Sequence, residues 1–246
     1  MRAVAAQIEA NIAAVRMRIA AAAERAGRNP ADVQIVAVTK THGVDVIRAA
    51  YEAGLRHFGE NRVEEAEEKI AAARADLPAD VVWHMVGHIQ SRKTADVAAL
   101  FEWVHSVDRF KVGRRLSEAA LRLGRTLDVL LEVNLSGEAS KFGYDLSRWP
   151  DEAAQGEAFF SEVARLLELP YLRWQGLMTI APYTADAETV RPIFRRLRWL
   201  RHALCSRFPA LEWPHLSMGM SGDFEVAVEE GATMVRIGTA LFGPRD

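Results

Sequence analysis

Apolar positions near the start of the chain recur at helical spacing, with Val4, Ile8, Ile12, Val15 and Ile19 along one face of an alanine-rich segment. The spacing predicts a helix over 3–26, ended by the stretch from Gly27 to Pro30. Beyond it, short β-branched or apolar runs alternate with amphipathic stretches. The runs at 33–39, 55–59, 81–87, 101–106, 126–135, 172–179, 213–218 and 233–238 predict strands. Helices are predicted between them over 44–54, 61–75, 91–99 and 109–123, within 151–168, and over 188–207 and 222–231. Asn61 and Asp108 are placed as N-caps of two of these helices, and Pro192 in the first turn of a third.

Strands that alternate with helices favour a parallel sheet, because each parallel neighbour is reached through a long crossover. We therefore expect a (β/α)8 TIM barrel with an extra N-terminal helix, and the 246 residues match the roughly 250 usual for that fold. An open doubly wound sheet is the alternative, but no Gly-x-Gly-x-x-Gly follows the first strand to support its dinucleotide-binding form. No linker, repeat or low-complexity stretch divides the chain, so one domain over 1–246 is expected. The segment 142–170 is the least periodic and is the expected place for an insertion.

Composition narrows the function classes. Thirty-one basic and 33 acidic side chains leave a net charge of −2, which removes the bulk positive field of a nucleic-acid binder. Cys205 is the only cysteine, so no internal disulfide or cysteine-rich zinc site is expected. No apolar run approaches the roughly 20 residues of a membrane span. Gln7, Glu9 and Asn11 interrupt the N-terminal segment, which lacks the continuous core of a signal peptide. A soluble, cytoplasmic protein is expected. Of the basic residues 26 are Arg and five are Lys: Lys40, Lys69, Lys93, Lys111 and Lys141. Only an amine becomes a neutral nucleophile, so each Lys is a place to look for chemistry, although codon bias produces the same ratio.

A barrel carries its site at the C-terminal ends of its strands, with phosphate groups commonly held after the last two. There the chain reads Ser217-Met218-Gly219-Met220-Ser221-Gly222 and Gly238-Thr239. Glycines let backbone N–H groups approach an anion and hydroxyls add donors, although ordinary turns use the same residues. Lys40 closes the first strand, where it is either a surface lysine or an amine held over the barrel mouth. Strand alternation puts Met234, Arg236 and Gly238 on one face and turns Arg236 inward, toward either Glu132 and Asn134 or a ligand. An amine, an inward guanidinium and a phosphate cup fit an aldehyde, a ring nitrogen and a phosphate, the three features of pyridoxal 5′-phosphate. His84 and His88 lack a third ligand, so no metal is expected, and His84 is read as lining the mouth.

The stretches AVTK (37–40), HFGEN (57–61), WHMVGHIQSRK (83–93), SVDR (106–109), LEVNLSGEASKFG (131–143), GLMTI (176–180) and the run 215–243 resemble the pyridoxal phosphate homeostasis proteins, whose fold is similar to the N-terminal domain of alanine racemase. The resemblance covers nearly the whole chain in order. It implies that Lys40 forms a Schiff base with the cofactor, and that Arg236 lies beside the pyridine nitrogen. It implies that Ser217, Gly238 and Thr239 hold the phosphate, with Asn61, His84, Met178, Met218 and Gly219 near the cofactor. The chain departs from the family pattern at Thr39, at Arg62 and in the longer segment 144–170.

The resemblance implies cofactor homeostasis, by buffering or delivery to apo-enzymes, rather than a firm catalytic activity. Only eight residues follow Gly238, which leaves no room for the second domain from which a racemase takes its opposite-face acid or base. A carrier, monomeric without that domain's dimer contacts, is therefore the first expectation. A slow amino-acid racemase or other pyridoxal phosphate enzyme is the second, and a Schiff-base aldolase on a sugar phosphate is the third.

Overall fold

The computed structural model describes residues 2–244. Helix α1 (Arg2–Arg25) leads the chain and buries Ile8, Ile12, Val15 and Ile19, the predicted stripe, while Val4 stays exposed. Eight parallel strands follow: β1 (Gln34–Val38), β2 (His57–Glu60), β3 (Val82–Met85), β4 (Trp103–Val107), β5 (Leu127–Asn134), β7 (Leu172–Met178), β8 (His215–Ser217) and β9 (Met234–Ile237). They lie in the order β4-β3-β2-β1-β9-β8-β7-β5, and pairing of β4 with β5 closes the barrel. The crossovers carry α2 (Val44–Glu52), α3 (Val63–Asp76), α4 (Thr94–Leu100), α5 (Phe110–Leu123), α6 (Ala153–Leu167), α7 (Arg191–Arg207) and α8 (Phe224–Glu229), and α9 (Thr239–Phe242) follows β9. The (β/α)8 TIM barrel with its additional N-terminal helix is thus the fold.

Alternation along the strands divides the core in two. Ile35 and Ala37, Phe58, Trp83 and Met85, Leu216, and Val235 and Ile237 point outward and pack beneath the helices. Val36, Val86, Leu130, Met178 and Met234 point inward as a small apolar cluster, with Val38, Trp103 and Ile180 against it. Barrel interiors are usually filled by branched apolar side chains. Here His84, His105, Ser217, Glu132 and Arg236 are also buried, and these polar groups share the inner space.

Two glycines permit close approaches that fix the frame of the barrel. A Cβ on Gly87 would sit 2.2 Å from the Asn61 carbonyl oxygen, so the loop after β3 rests directly on the backbone that leaves β2. A Cβ on Gly176 (φ +151°) would sit 1.8 Å from the His215 carbonyl oxygen, so only glycine lets β7 meet β8 there.

Three local expectations are corrected. α3 begins at Val63 and α5 at Phe110, with Arg62 and Arg109 in the cap positions, so neither Asn61 nor Asp108 caps a helix. The Asp108 carboxylate instead accepts bonds from Arg109 Nη1 at 2.6 and 2.7 Å and faces His88 at 3.1 Å. β1 ends at Val38, which leaves Lys40 on a turn beyond the strand. The segment 142–170 holds a two-residue strand, β6 (Tyr144–Asp145), paired with the mouth end of β5, and then α6, an ordinary crossover helix. Among the described residues no helix is long and apolar enough to cross a membrane.

Candidate functional site

A cavity of about 1210 Å³ opens at the C-terminal ends of the strands. Lys40, Asn61, Arg236, Gly238 and Thr239 all line it, although they come from the ends of β1, β2 and β9. Lys40 sits on a tight turn whose next residue, Thr41, has φ +69°, a left-handed conformation that a β-branched residue rarely adopts. A buried polar cluster holds this turn from behind. Lys69 Nζ donates to the Thr39 carbonyl at 2.8 Å, to Glu60 Oε1 at 2.7 Å and to Glu65 Oε1 at 3.0 Å. Thr39 Oγ1 donates to Glu60 Oε1 at 2.6 Å, and Glu65 also accepts the Thr41 N–H. Thr39 is therefore anchored on the helix side while its neighbour Lys40 turns to the cavity.

Arg236 lies at the base of the cavity with 5% of its surface exposed. Its Nη1 donates to Ser217 Oγ at 2.7 Å and its Nη2 to the Thr179 carbonyl at 2.9 Å. The predicted partners Glu132 and Asn134 are not its hydrogen-bond acceptors: Asn134 is engaged with the backbone of Ser136, Gly137 and Glu138. Burial lowers the Arg236 pKa to about 10, against the attraction of Asp223 and Glu132, so it stays charged at neutral pH. Two N–H groups are committed to the protein, and a guanidinium carries five.

Glu132 lines the same cavity, and its Oε2 is buried without a hydrogen-bond partner among the described residues. Burial pushes its carboxyl up to about 7; nearby Asp108 acts in the same direction and Arg236 opposes. At neutral pH this is a group poised between acid and base.

The loop after β8 brings Met220, Ser221, Gly222 and Asp223 to the cavity beside Gly238 and Thr239. Ser221 Oγ accepts the Ala240 N–H at 3.1 Å, which ties this loop to the start of α9. Asp223 Oδ1 accepts the Met220 N–H at 2.6 Å and closes the loop on itself. The hydroxyls of Ser221 and Thr239 and the glycines Gly222 and Gly238 here line a concave surface suited to an anion.

The remaining predicted residues lie elsewhere. His84, Met178 and Ser217 are fully buried in the barrel interior below the cavity. Met218 is fully buried in the outer apolar layer, turned from the barrel axis. Gly219 (φ +93°) supports the loop: a Cβ there would lie 2.6 Å from that of Ala227, and its carbonyl accepts the Arg236 N–H at 2.9 Å. Ser221 and Glu132 take cavity positions that the sequence did not assign. The hydroxyl of Ser221 stood within the loop already read as a phosphate cup, but strand alternation stops at Ser217 and cannot orient residues beyond it. Among the described residues no cluster suited to a metal ion is present, and His88 stacks on Phe142 with ring centres 3.6 Å apart.

Residues 10–246 match the model of the alanine racemase N-terminal domain family. A pyridoxal phosphate homeostasis protein of Pseudomonas aeruginosa is 48% identical over 97% of this chain and 96% of its own length. Its namesake in Escherichia coli K12 is 41% identical, with 96% of both chains covered. Among solved structures, PipY of Synechococcus elongatus with PLP bound superposes with a TM-score of 0.81 at 38% identity, over 96% of this chain and all of that one. An alanine racemase of Clostridium difficile shares the fold alone, with a TM-score of 0.70 at 16% identity over 97% of this chain and 57% of its own. A closed barrel with a lysine, an inward arginine and a glycine-hydroxyl cup at its mouth thus coincides with full-length similarity, and the chain belongs to the alanine racemase N-terminal domain family, among the pyridoxal phosphate homeostasis proteins.

Proposed function

We propose that this protein binds pyridoxal 5′-phosphate as a Schiff base on Lys40 and serves in cytoplasmic homeostasis of that cofactor, buffering it or delivering it to apo-enzymes. One observation carries the reading: an amine, a buried guanidinium with uncommitted donors, and a hydroxyl-lined loop pair share one cavity. The names of the curated relatives and the PLP-bound neighbour support it.

The donor set suits the cofactor part by part. When bound, the cofactor supplies an electrophilic aldehyde conjugated to an aromatic ring. Lys40 would hold the cofactor through its amine, which would condense with the aldehyde carbon with loss of water. Arg236 has only donors, so it pairs with an unprotonated ring nitrogen and disfavours its protonation. Ser221, Thr239 and the backbone near Gly222 and Gly238 receive the phosphate. We assign the phosphate hydroxyl to Ser221 rather than Ser217, because Ser221 lines the cavity and Ser217 lies beneath it. Asn61 contributes a polar wall. The protein acts as a single-domain monomer.

The purified protein is expected to show a visible absorbance band that borohydride bleaches, with mass spectrometry placing the reduced tag on Lys40. Lys40→Ala should lose both the band and the tag. A tag on any other side chain, or none in the wild type, defeats the assignment.

Glu132 favours a second reading, slow turnover of amino acids on the bound cofactor, because it places a carboxyl that titrates near neutrality in the cavity. Steady turnover of an L-amino acid that is abolished in both Lys40→Ala and Glu132→Gln would favour this over the carrier. No turnover across an amino-acid panel leaves the carrier.

A further inference from the structure

A line of hydrogen bonds crosses the barrel interior and ends on Arg236. Inward positions of β2, β3 and β4 carry His57, His84 and His105. His57 Nδ1 lies 2.9 Å from His84 Nε2, and His84 Nδ1 lies 2.9 Å from His105 Nε2. His105 Nδ1 lies 2.9 Å from Ser217 Oγ on the opposite wall, and Ser217 Oγ accepts from Arg236 Nη1 at 2.7 Å. His84, His105 and Ser217 are fully buried. His57 is partly buried and borders a second cavity of about 470 Å³ at the other end of the barrel, beside Gln34, Arg16 and Arg56. Trp103 stacks on His84 with ring centres 5.6 Å apart and shields that part of the line.

Counting hydrogens gives the line a direction. A guanidinium has no acceptor, so the bond between Arg236 and Ser217 uses a lone pair of the serine oxygen. The hydroxyl hydrogen then has one hydrogen-bonding neighbour left, His105 Nδ1, which must therefore be bare. A neutral imidazole that is bare at Nδ1 carries its hydrogen on Nε2. That hydrogen points at His84 Nδ1, so His84 is also an Nε2–H ring, and the same step makes His57 one. The opposite direction would leave the serine hydrogen buried without an acceptor. Burial first, and the positive Arg236 next, disfavour protonation of His105. Burial does the same for His84 and His57.

The consequence concerns the buried cation. Among the described residues no carboxylate is hydrogen-bonded to Arg236. Three neutral rings align their electron-rich nitrogens toward it through one serine oxygen, much as aligned peptide dipoles stabilise a charge at a helix end. The guanidinium is thereby held in place and its charge supported, while its other donors remain turned to the cavity.

We propose that His57, His84 and His105 form a one-way hydrogen-bond chain that, through Ser217, positions and polarises Arg236 for the ligand of the cavity. These are positioning residues, since none of the three rings lines that cavity. The link to the cofactor rests on the reading above; the direction of the chain does not.

The test begins with cofactor-free protein carrying nitrogen-15 histidine. At about pH 8, side-chain nitrogen spectra should show His57, His84 and His105 as neutral Nε2–H tautomers. An Nδ1–H or charged ring at His84 or His105 overturns the chain. Ser217→Ala removes its terminus, and His105 should then lose its fixed tautomer. Pyridoxal phosphate should bind about tenfold more weakly to that variant, with a displaced absorbance band, while its far-ultraviolet circular dichroism stays unchanged. Unchanged His105 resonances, affinity and band would refute the positioning role. Should Ser217→Ala not fold, His57→Gln at the partly exposed end replaces it. That variant should shift the His105 nitrogens two links away, and no shift refutes coupling along the chain. A wild type that shows the three tautomers but binds no pyridoxal phosphate defeats the functional reading and leaves the chain standing.

Discussion

Lys69 and Glu60 are 8% and 0% exposed, and they hold the turn that presents Lys40. An ion pair this deep is more damaging to break than to lack, because removal of one partner strands the other charge. Lys69→Met should lower unfolding free energy by about 3–5 kcal/mol in urea titrations, and the double variant with Glu60→Gln should recover part of the loss. A Lys69→Met loss under about 1 kcal/mol would mean that Glu60 is already neutral in the folded protein. Lys40 lines the cavity and Lys69 is buried behind its turn, whereas Lys93 and Lys141 pair with Glu64, Asp96 and Glu138.

Glu132 has the reverse character: a buried carboxyl with no direct cationic partner among the described residues. Its folded-state pKa of about 7 lies above the ordinary 4.5, so a penalty on the fold builds as pH rises from 4.5 to about 7, is complete above that, and is relieved as pH falls back through the same window. Glu132→Gln should therefore be about 3 kcal/mol more stable than the wild type at pH 8, with the gain shrinking to under about 1 kcal/mol near pH 5 and vanishing below about pH 4. Equal chemical-denaturation midpoints for the two proteins at pH 8 would show that a neighbouring cation already compensates the charge.

At the scale of elements, the frame depends on backbone proximity that side chains cannot replace. Gly176→Ala would drive a methyl group into the His215 carbonyl and part β7 from β8, which carries Ser217 and leads into the loop with Ser221. We expect a loss of more than about 4 kcal/mol or no soluble folded protein, read from melting temperature and expression. A melting temperature within a few degrees of the wild type would mean that the strands separate without harm. α1 presents a milder case. Ile12 is 1% exposed, and Ile12→Ala should cost about 2–5 kcal/mol in urea unfolding without changing the absorbance of bound cofactor, because α1 packs outside the barrel.

The whole molecule carries an unusual load of neutral histidine. Burial lowers the pKa of His57, His84, His105 and His215 below the ordinary 6.5. The unfolded chain therefore takes up protons first, so their contribution is complete above pH 6.5 and is lost as pH falls below it. Each of the two fully buried rings, His84 and His105, accounts for up to about 1.4 kcal/mol per pH unit in that window. Glu132 acts in the opposite sense there but is outnumbered. Urea midpoints at pH 7.5, 6.5 and 5.5 should fall steadily; a protein as stable at pH 5.5 as at 7.5 would contradict neutral interior rings.

The fold was largely legible in the amino-acid order, because alternation of short β-branched runs with amphipathic stretches leaves a parallel barrel as the compact solution. Period-two alternation also turned Arg236 inward and Thr39 away from Lys40, since a strand sends successive side chains to opposite faces. What alternation could not carry past the strand ends, tertiary structure decided. It brought Ser221 to the cavity wall and left Ser217 buried beneath it, and it drew Asp108 to Arg109 and His88 instead of a helix start. It also joined histidines from three separate strands into one line. The contact of Asp108 with His88 and the histidine line depend on distances between segments far apart in the chain, which closure of the barrel sets and no local pattern encodes.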